Sequence, residues 1–183
     1  MGSHHLVLGE ISDFLTGELI EDTHDERYRQ KLAKWLVQGK SFLKSDISPR
    51  ERIIVTAGDN RAEVPLDFRI RPTDKTGMII KYGPGSIITR HRSALALARL
   101  AAPYQIPIVV VTNGRTAEIL DGWTGRRLAT GIKQLPSRQE LVNTMAQSKW
   151  TAISPKQIEM ESRIVYAYEV DGACPCDDTV CKL

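Results

Sequence analysis

Apolar residues along this chain follow two spacings, and the spacing divides it into elements. Over residues 23–39, Tyr28, Leu32, Trp35 and Leu36 recur at helical intervals. Thr23 as N-cap, Glu26 as its capping-box partner and Gly39 as a stop predict an amphipathic helix. Its polar face carries Arg27, Arg29, Lys31 and Lys34. Upstream, residues 11–22 are short and mixed and read as a helix or an extended arm. Residues 41–49 read as a connector and the β-branched run 53–57 as a short strand. Gly58-Asp59-Asn60 is a hairpin turn. Residues 64–70 then alternate, with Val64, Leu66, Phe68 and Ile70 on one face and Pro65, Asp67 and Arg69 on the other. That is a strand at period two, with Pro65 marking its start or an edge. A polar turn, 71–77, leads to residues 78–82, apolar on both faces and hence central. A hairpin symmetric about Asp74 sets Asp67 opposite Lys81.

The glycine-rich stretch 83–85 breaks that strand. Residues 90–102, built of Ala, Leu and Arg, predict a helix that Pro103 ends. Residues 107–112 read as a buried strand and Asn113-Gly114 as a tight turn. Residues 115–121 are the returning strand of that hairpin. Residues 122–131 are a loop with some strand character. Two helices follow, 137–149 with Ser137 and Glu140 as a capping box, and 154–168 with Pro155 at its first position. The order is helix, three strands, helix, strands, two helices: a mixed α/β or α+β domain with one central sheet. An arm (1–22), a domain (23–150), a C-terminal helix (151–170) and a tail (171–183) are the expected parts.

A length of 183 residues suits one domain able to bury a core without disulfides. A net charge of +3 permits a nucleic-acid partner but does not demand one. No apolar run reaches a membrane span and no signal peptide is evident, so a cytoplasmic setting with no membrane partner is expected. His4 and His5 are treated as a cloning remnant.

Asp67 and Lys81 on adjacent strands are what metal-dependent phosphodiester hydrolysis uses. Carboxylates hold the ion, and a lysine positions the water or neutralises the phosphorane. Glu26 adds a carboxylate from a helix able to pack beside the sheet. A cross-strand ion pair and a simple helix cap are the competing readings of the same residues.

DERYRQKLAKWLV, EVPLDFRI, GMIIKYGPGS, HRSALALARL and QIPIVVVTNGRTAEILD occur in this order over about two thirds of the chain. In this, residues 23 to about 146 resemble the N-terminal domain of type I restriction enzyme R proteins, the HsdR N-terminal family. The resemblance implies a restriction-endonuclease-like core of the PD-(D/E)XK kind, Mg²⁺ and double-stranded DNA. It also implies a second copy or another restriction-system subunit as protein partner. It assigns Glu26 to the helical acid, Asp67 to the acid of the "PD" position and Lys81 to the terminal lysine, with Asp67 and Glu26 as metal ligands. The middle acid falls on Ile79, which cannot ligate. Two readings stay open: a Mg²⁺-dependent endonuclease with Glu26 as a migrated ligand, or a catalytically inactive module that binds DNA or a protein. No GxxxxGK[ST] is present, so ATP-driven translocation is not expected of this chain.

Two clusters remain. Arg90, His91 and Arg92 begin a helix, where positive charge opposes the dipole unless solvated or paired with an anion. They are candidate DNA contacts, with His91 also a candidate base. Cys174, Cys176 and Cys181 form CPC-x4-C in the tail. They are three ligands of a Zn²⁺ or iron–sulfur site that Asp177, Asp178 or His24 would complete. Loose reduced thiols or a Cys176–Cys181 disulfide compete with that reading.

Overall fold

The structure is a computed structural model that describes residues 6–172 and 181–182. Strands β1 (Glu10–Ser12) and β2 (Leu19–Glu21) form a small antiparallel hairpin. The 11–22 stretch is therefore an extended hairpin with a turn at 14–16, not a helix. Helix α1 (His24–Lys34) follows and runs on as a π-helical turn, Trp35–Gly39. Next come β3 (Ile47–Ala57), β4 (Asn60–Ile70) and β5 (Met78–Tyr82). A 3-10 turn (Ile88–Arg90) opens α2 (His91–Leu100). Strands β6 (Ile108–Thr112), β7 (Ala117–Asp121) and β8 (Arg127–Thr130) complete the main path of the sheet. Helices α3 (Arg138–Ala146) and α4 (Pro155–Val165) close the domain, α4 ending in a π-helical turn, Tyr166–Asp171. A two-residue strand, β9 (Cys181–Lys182), pairs with β4.

The sheet order is β3-β4-β5-β6-β7-β8. Among the described residues, only β5 and β6 pair in parallel, joined by a crossover through α2. All other pairs are antiparallel, so the fold is mixed α/β. Alternate residues of the central strands feed two cores. Ile79, Val109 and Val111 pack with α2 and α4 through Leu97 and Val165. Met78, Ile80 and Val110 pack with α1 and α3 through Leu32, Leu36, Leu141 and Met145. Burial on both faces is why residues 78–80 of β5 and 108–111 of β6 are continuous apolar runs.

Two strand expectations are corrected. The first is the start of β3, which begins at Ile47 and includes Pro49. β3 is an edge strand of the sheet, so a proline without a ladder donor is tolerated there. The second concerns β4, which does not keep one apolar face. Ala62, Val64 and Leu66 join the α2/α4 core, whereas Phe68 and Ile70 join the α1/α3 core. The change falls between the pairs Glu51↔Leu66 and Pro49↔Phe68, where Arg50 and Asp67 are left unpaired. Arg50 is in the left-handed region, with φ 50°. That conformation rotates both strands and sends Ile47 to the opposite core from Ile53 and Val55. The interruption frees the Arg50 and Asp67 side chains from the regular alternation.

Candidate functional site

The β4–β5 ladder is short: Phe68↔Ile80, Arg69↔Ile79 and Ile70↔Met78. Continued by one step, that register sets Asp67 across from Lys81, as the hairpin symmetry predicts. The strands separate there, and side chains complete their hydrogen bonding. Asp67 Oδ2 accepts from the Tyr82 amide at 2.7 Å. Lys81 Nζ donates to the Pro65 carbonyl at 2.6 Å and lies 3.3 Å from Glu169 Oε2. Asp67 and Lys81 are both buried. Among the described residues they form no ion pair with each other, because each is already engaged elsewhere.

Helix α1 brings the third residue. Thr23 accepts from the Glu26 amide at 3.1 Å, as an N-cap should. The Glu26 carboxylate does not return to the cap, which corrects the expected capping box. It accepts from Gln30 Nε2 at 2.9 Å and stands 3.6 Å from the guanidinium of Arg29 and 3.6 Å from that of Arg50. Arg29 also reaches Asp67, donating from Nε to Oδ1 at 2.6 Å. Arg50 donates to Asp13, whose other oxygen caps the turn amides of Leu15 and Thr16. The result is a chain of alternating charge, Asp13–Arg50–Glu26–Arg29–Asp67, in which the three carboxylates are buried and the two guanidinium groups partly exposed.

Its electrostatics follow from those contacts. Burial disfavours charge on Arg29, but Asp67, helped by Glu26 and Asp25, outweighs it and raises the guanidinium pKa. Burial likewise works to raise Asp13, yet bonds from Arg50, Thr16 and Gln30 prevail and lower it from 3.8 to about 2. The Tyr82 phenol is pushed well above its ordinary value, first by burial and then by the bond it donates to Asp25 at 2.9 Å. The Arg29 guanidinium lies 5.1 Å from the centre of the Tyr82 ring, a cation–π contact that also holds it in place.

A divalent ion of the Mg²⁺ kind needs several open oxygen ligands. The Asp67 and Glu26 carboxylates are bridged by the Arg29 guanidinium, so the position between them already carries a cation. Ile79, the position to which the resemblance assigns the middle acid, is fully buried in the α2/α4 core. No group of three or more His, Cys, Asp or Glu among the described residues could hold a metal ion. As arranged, the donor set does not fit Mg²⁺.

The basic cluster is distributed. Arg90 donates to the Pro84 carbonyl at 3.1 Å. His91 Nε2 stands 2.7 Å from Glu118 Oε2, without hydrogen-bond alignment. Arg92 is 2.6 Å from the buried Glu161, which Arg99 also binds, so it forms part of the α2–α4 joint. Among the described residues, no ion pair or hydrogen bond links these three to Asp67, Lys81 or Glu26. Cys174, Cys176, Asp177 and Asp178 lie outside the described residues, Cys181 begins β9, and His24 opens α1. Sequence reasoning missed Arg29, Arg50 and Glu169. Arg29 carried a signal, one helical turn from Glu26; the other two meet the site only through tertiary structure.

The family model described as Type I restriction enzyme R protein N terminus (HSDR_N) matches residues 24–136. The chain belongs to this family. The matched segment spans α1 to the turn after β8 and includes Glu26, Arg29, Asp67, Ile79 and Lys81. Glu169 lies beyond it. No curated protein and no solved structure matches the chain.

Proposed function

We propose that this HSDR_N-family chain is a nuclease-framework domain of the restriction-endonuclease-like kind that does not hydrolyse DNA and serves as a DNA-binding module. The observation that carries this reading is Arg29, 2.6 Å from Asp67 and 3.6 Å from Glu26. In a hydrolytic site those carboxylates would hold the ion, and a nearby lysine would position the water. Here a fixed guanidinium neutralises both acids, and the third position is the buried Ile79. Lys81 is held by the Pro65 carbonyl and Glu169. DNA as the partner rests on the restriction-system context of the family.

The hydrolytic reading keeps one observation in its favour, the register that sets Asp67 across from Lys81. Supercoiled plasmid incubated with the protein and Mg²⁺ or Mn²⁺, beside a duplex gel-shift assay, separates the two. The expected outcome is salt-sensitive retention of duplex without nicking. Divalent-dependent nicking that disappears in Asp67→Ala and Lys81→Ala would overturn the proposal and make the chain an enzyme.

A further inference from the structure

A groove of about 1000 Å³ runs between α1, the β6–β7 turn and the 3-10 turn that follows β8. That volume is at the upper end for small-molecule sites, which hold roughly 300–1,000 Å³. Lys31, Lys34, Arg115 and Lys133 line it, and no Asp or Glu does. Lys31, Arg115 and Lys133 are exposed and have no ion-pair partner among the described residues. Arg27, Arg29, Arg50, Arg92 and Arg99, by contrast, are all paired with carboxylates. Uncompensated cations converging on a concave wall concentrate anions there.

The same wall carries aromatic rings. Tyr28 is 36% exposed and its ring is fixed from behind. It stacks on Tyr82, with ring centres 6.0 Å apart and planes 26° apart. It also rests on Gly114, where a Cβ would come within 2.6 Å of the ring and where φ is +82°. The Asn113-Gly114 turn thus provides the left-handed residue and the flat seat that hold Tyr28 in place. Trp35 lines the groove as well, and its indole Nε1 has no hydrogen-bond partner among the described residues. A held ring facing a cluster of unpaired cations suits a ligand with a planar base at one end and phosphates at the other.

We propose that this groove binds a free nucleoside polyphosphate, its base stacked on Tyr28 and its phosphates among Lys31, Arg115 and Lys133. A volume still within the small-molecule range favours a free nucleotide over a strand, whose track would continue past the groove. This site does not depend on whether the Asp67 cluster hydrolyses DNA.

The full chain is titrated with a fluorescently labelled ATP, then competed with unlabelled ATP, inorganic tripolyphosphate and single-stranded oligothymidylate. Saturable binding is expected, with ATP displacing the probe at lower concentration than tripolyphosphate. Tyr28→Ala removes that advantage. The double variant Lys31→Glu/Lys133→Glu weakens binding by about tenfold or more, since each lost charge contact is of the order that changes an affinity tenfold. Its melting temperature stays at the wild-type value, because both side chains are exposed and unpaired. The proposal is overturned by absent binding, by tripolyphosphate competing as well as ATP, or by displacement with oligothymidylate but not ATP. Equal affinity in the double variant also overturns it.

Discussion

Arg29 is the residue on which the character of the acidic site turns. It is one-quarter exposed, while its partners Glu26 and Asp67 are buried, so it shields two carboxylates that would otherwise repel. Removing one member of such a pair leaves the other uncompensated, which costs more than the pair contributes as a whole. Arg29→Met should therefore destabilise the domain by about 2–3 kcal/mol, and Asp67→Asn in the Arg29→Met background should recover part of it. Urea unfolding of the double-mutant cycle measures this; strictly additive losses would show that the two do not act together. Asp13 makes the matching statement about pH. Its pKa is depressed from 3.8 to about 2, so its stabilisation is complete above the unfolded value and is lost as pH falls through the folded one. The stability gap between the wild type and Asp13→Asn should shrink by about 1–2 kcal/mol between pH 5 and pH 2, allowing for screening at the one-third exposed Arg50. A gap independent of pH over that range would refute the assignment.

At the scale of elements, the joint between α2 and α4 rests on one carboxylate. Glu161 on α4 is 3% exposed and receives both Arg92 and Arg99 of α2. Glu161→Ala should cost about 2–3 kcal/mol because it strands the guanidinium of Arg99, 14% exposed, at a packed interface and frees the more exposed Arg92. The exposed i,i+4 pair Glu159–Arg163 on the same helix should contribute less than about 0.5 kcal/mol. Thermal melts of Glu161→Ala and Glu159→Ala test the contrast, and similar losses would contradict it. Most of these elements were legible from spacing. The α1 and α3 caps, the Asn113-Gly114 hairpin and the central pair β5–β6 follow local rules that need few distant contacts. The β4 face was not legible, because its alternation from Val64 to Ile70 is perfect in the sequence. The rotation originates in Arg50, on the neighbouring strand, and a proline one residue earlier disguised that strand as a connector.

For the whole molecule, the sheet separates two helical layers, and the acidic chain lies where β4 and β5 part. α1 reaches Asp67 through Arg29, and the turn after α4 reaches Lys81 through Glu169. The matched family segment ends at residue 136, so the contact to Lys81 is made by chain beyond it. The sequence by itself determined the mixed α/β class, the family and the Asp67–Lys81 register. Those depend on hydrophobic period, turn residues and motif order, which are written locally. Tertiary structure alone decided that Arg29 stands between Glu26 and Asp67, that Arg50 joins them to Asp13, and that Glu169 meets Lys81. It also decided that Tyr28 is held against Gly114 beside unpaired cations. Charge pairing depends on which side chains a fold brings within a few ångströms, and residues 24 to 88 positions apart leave no periodic trace of meeting.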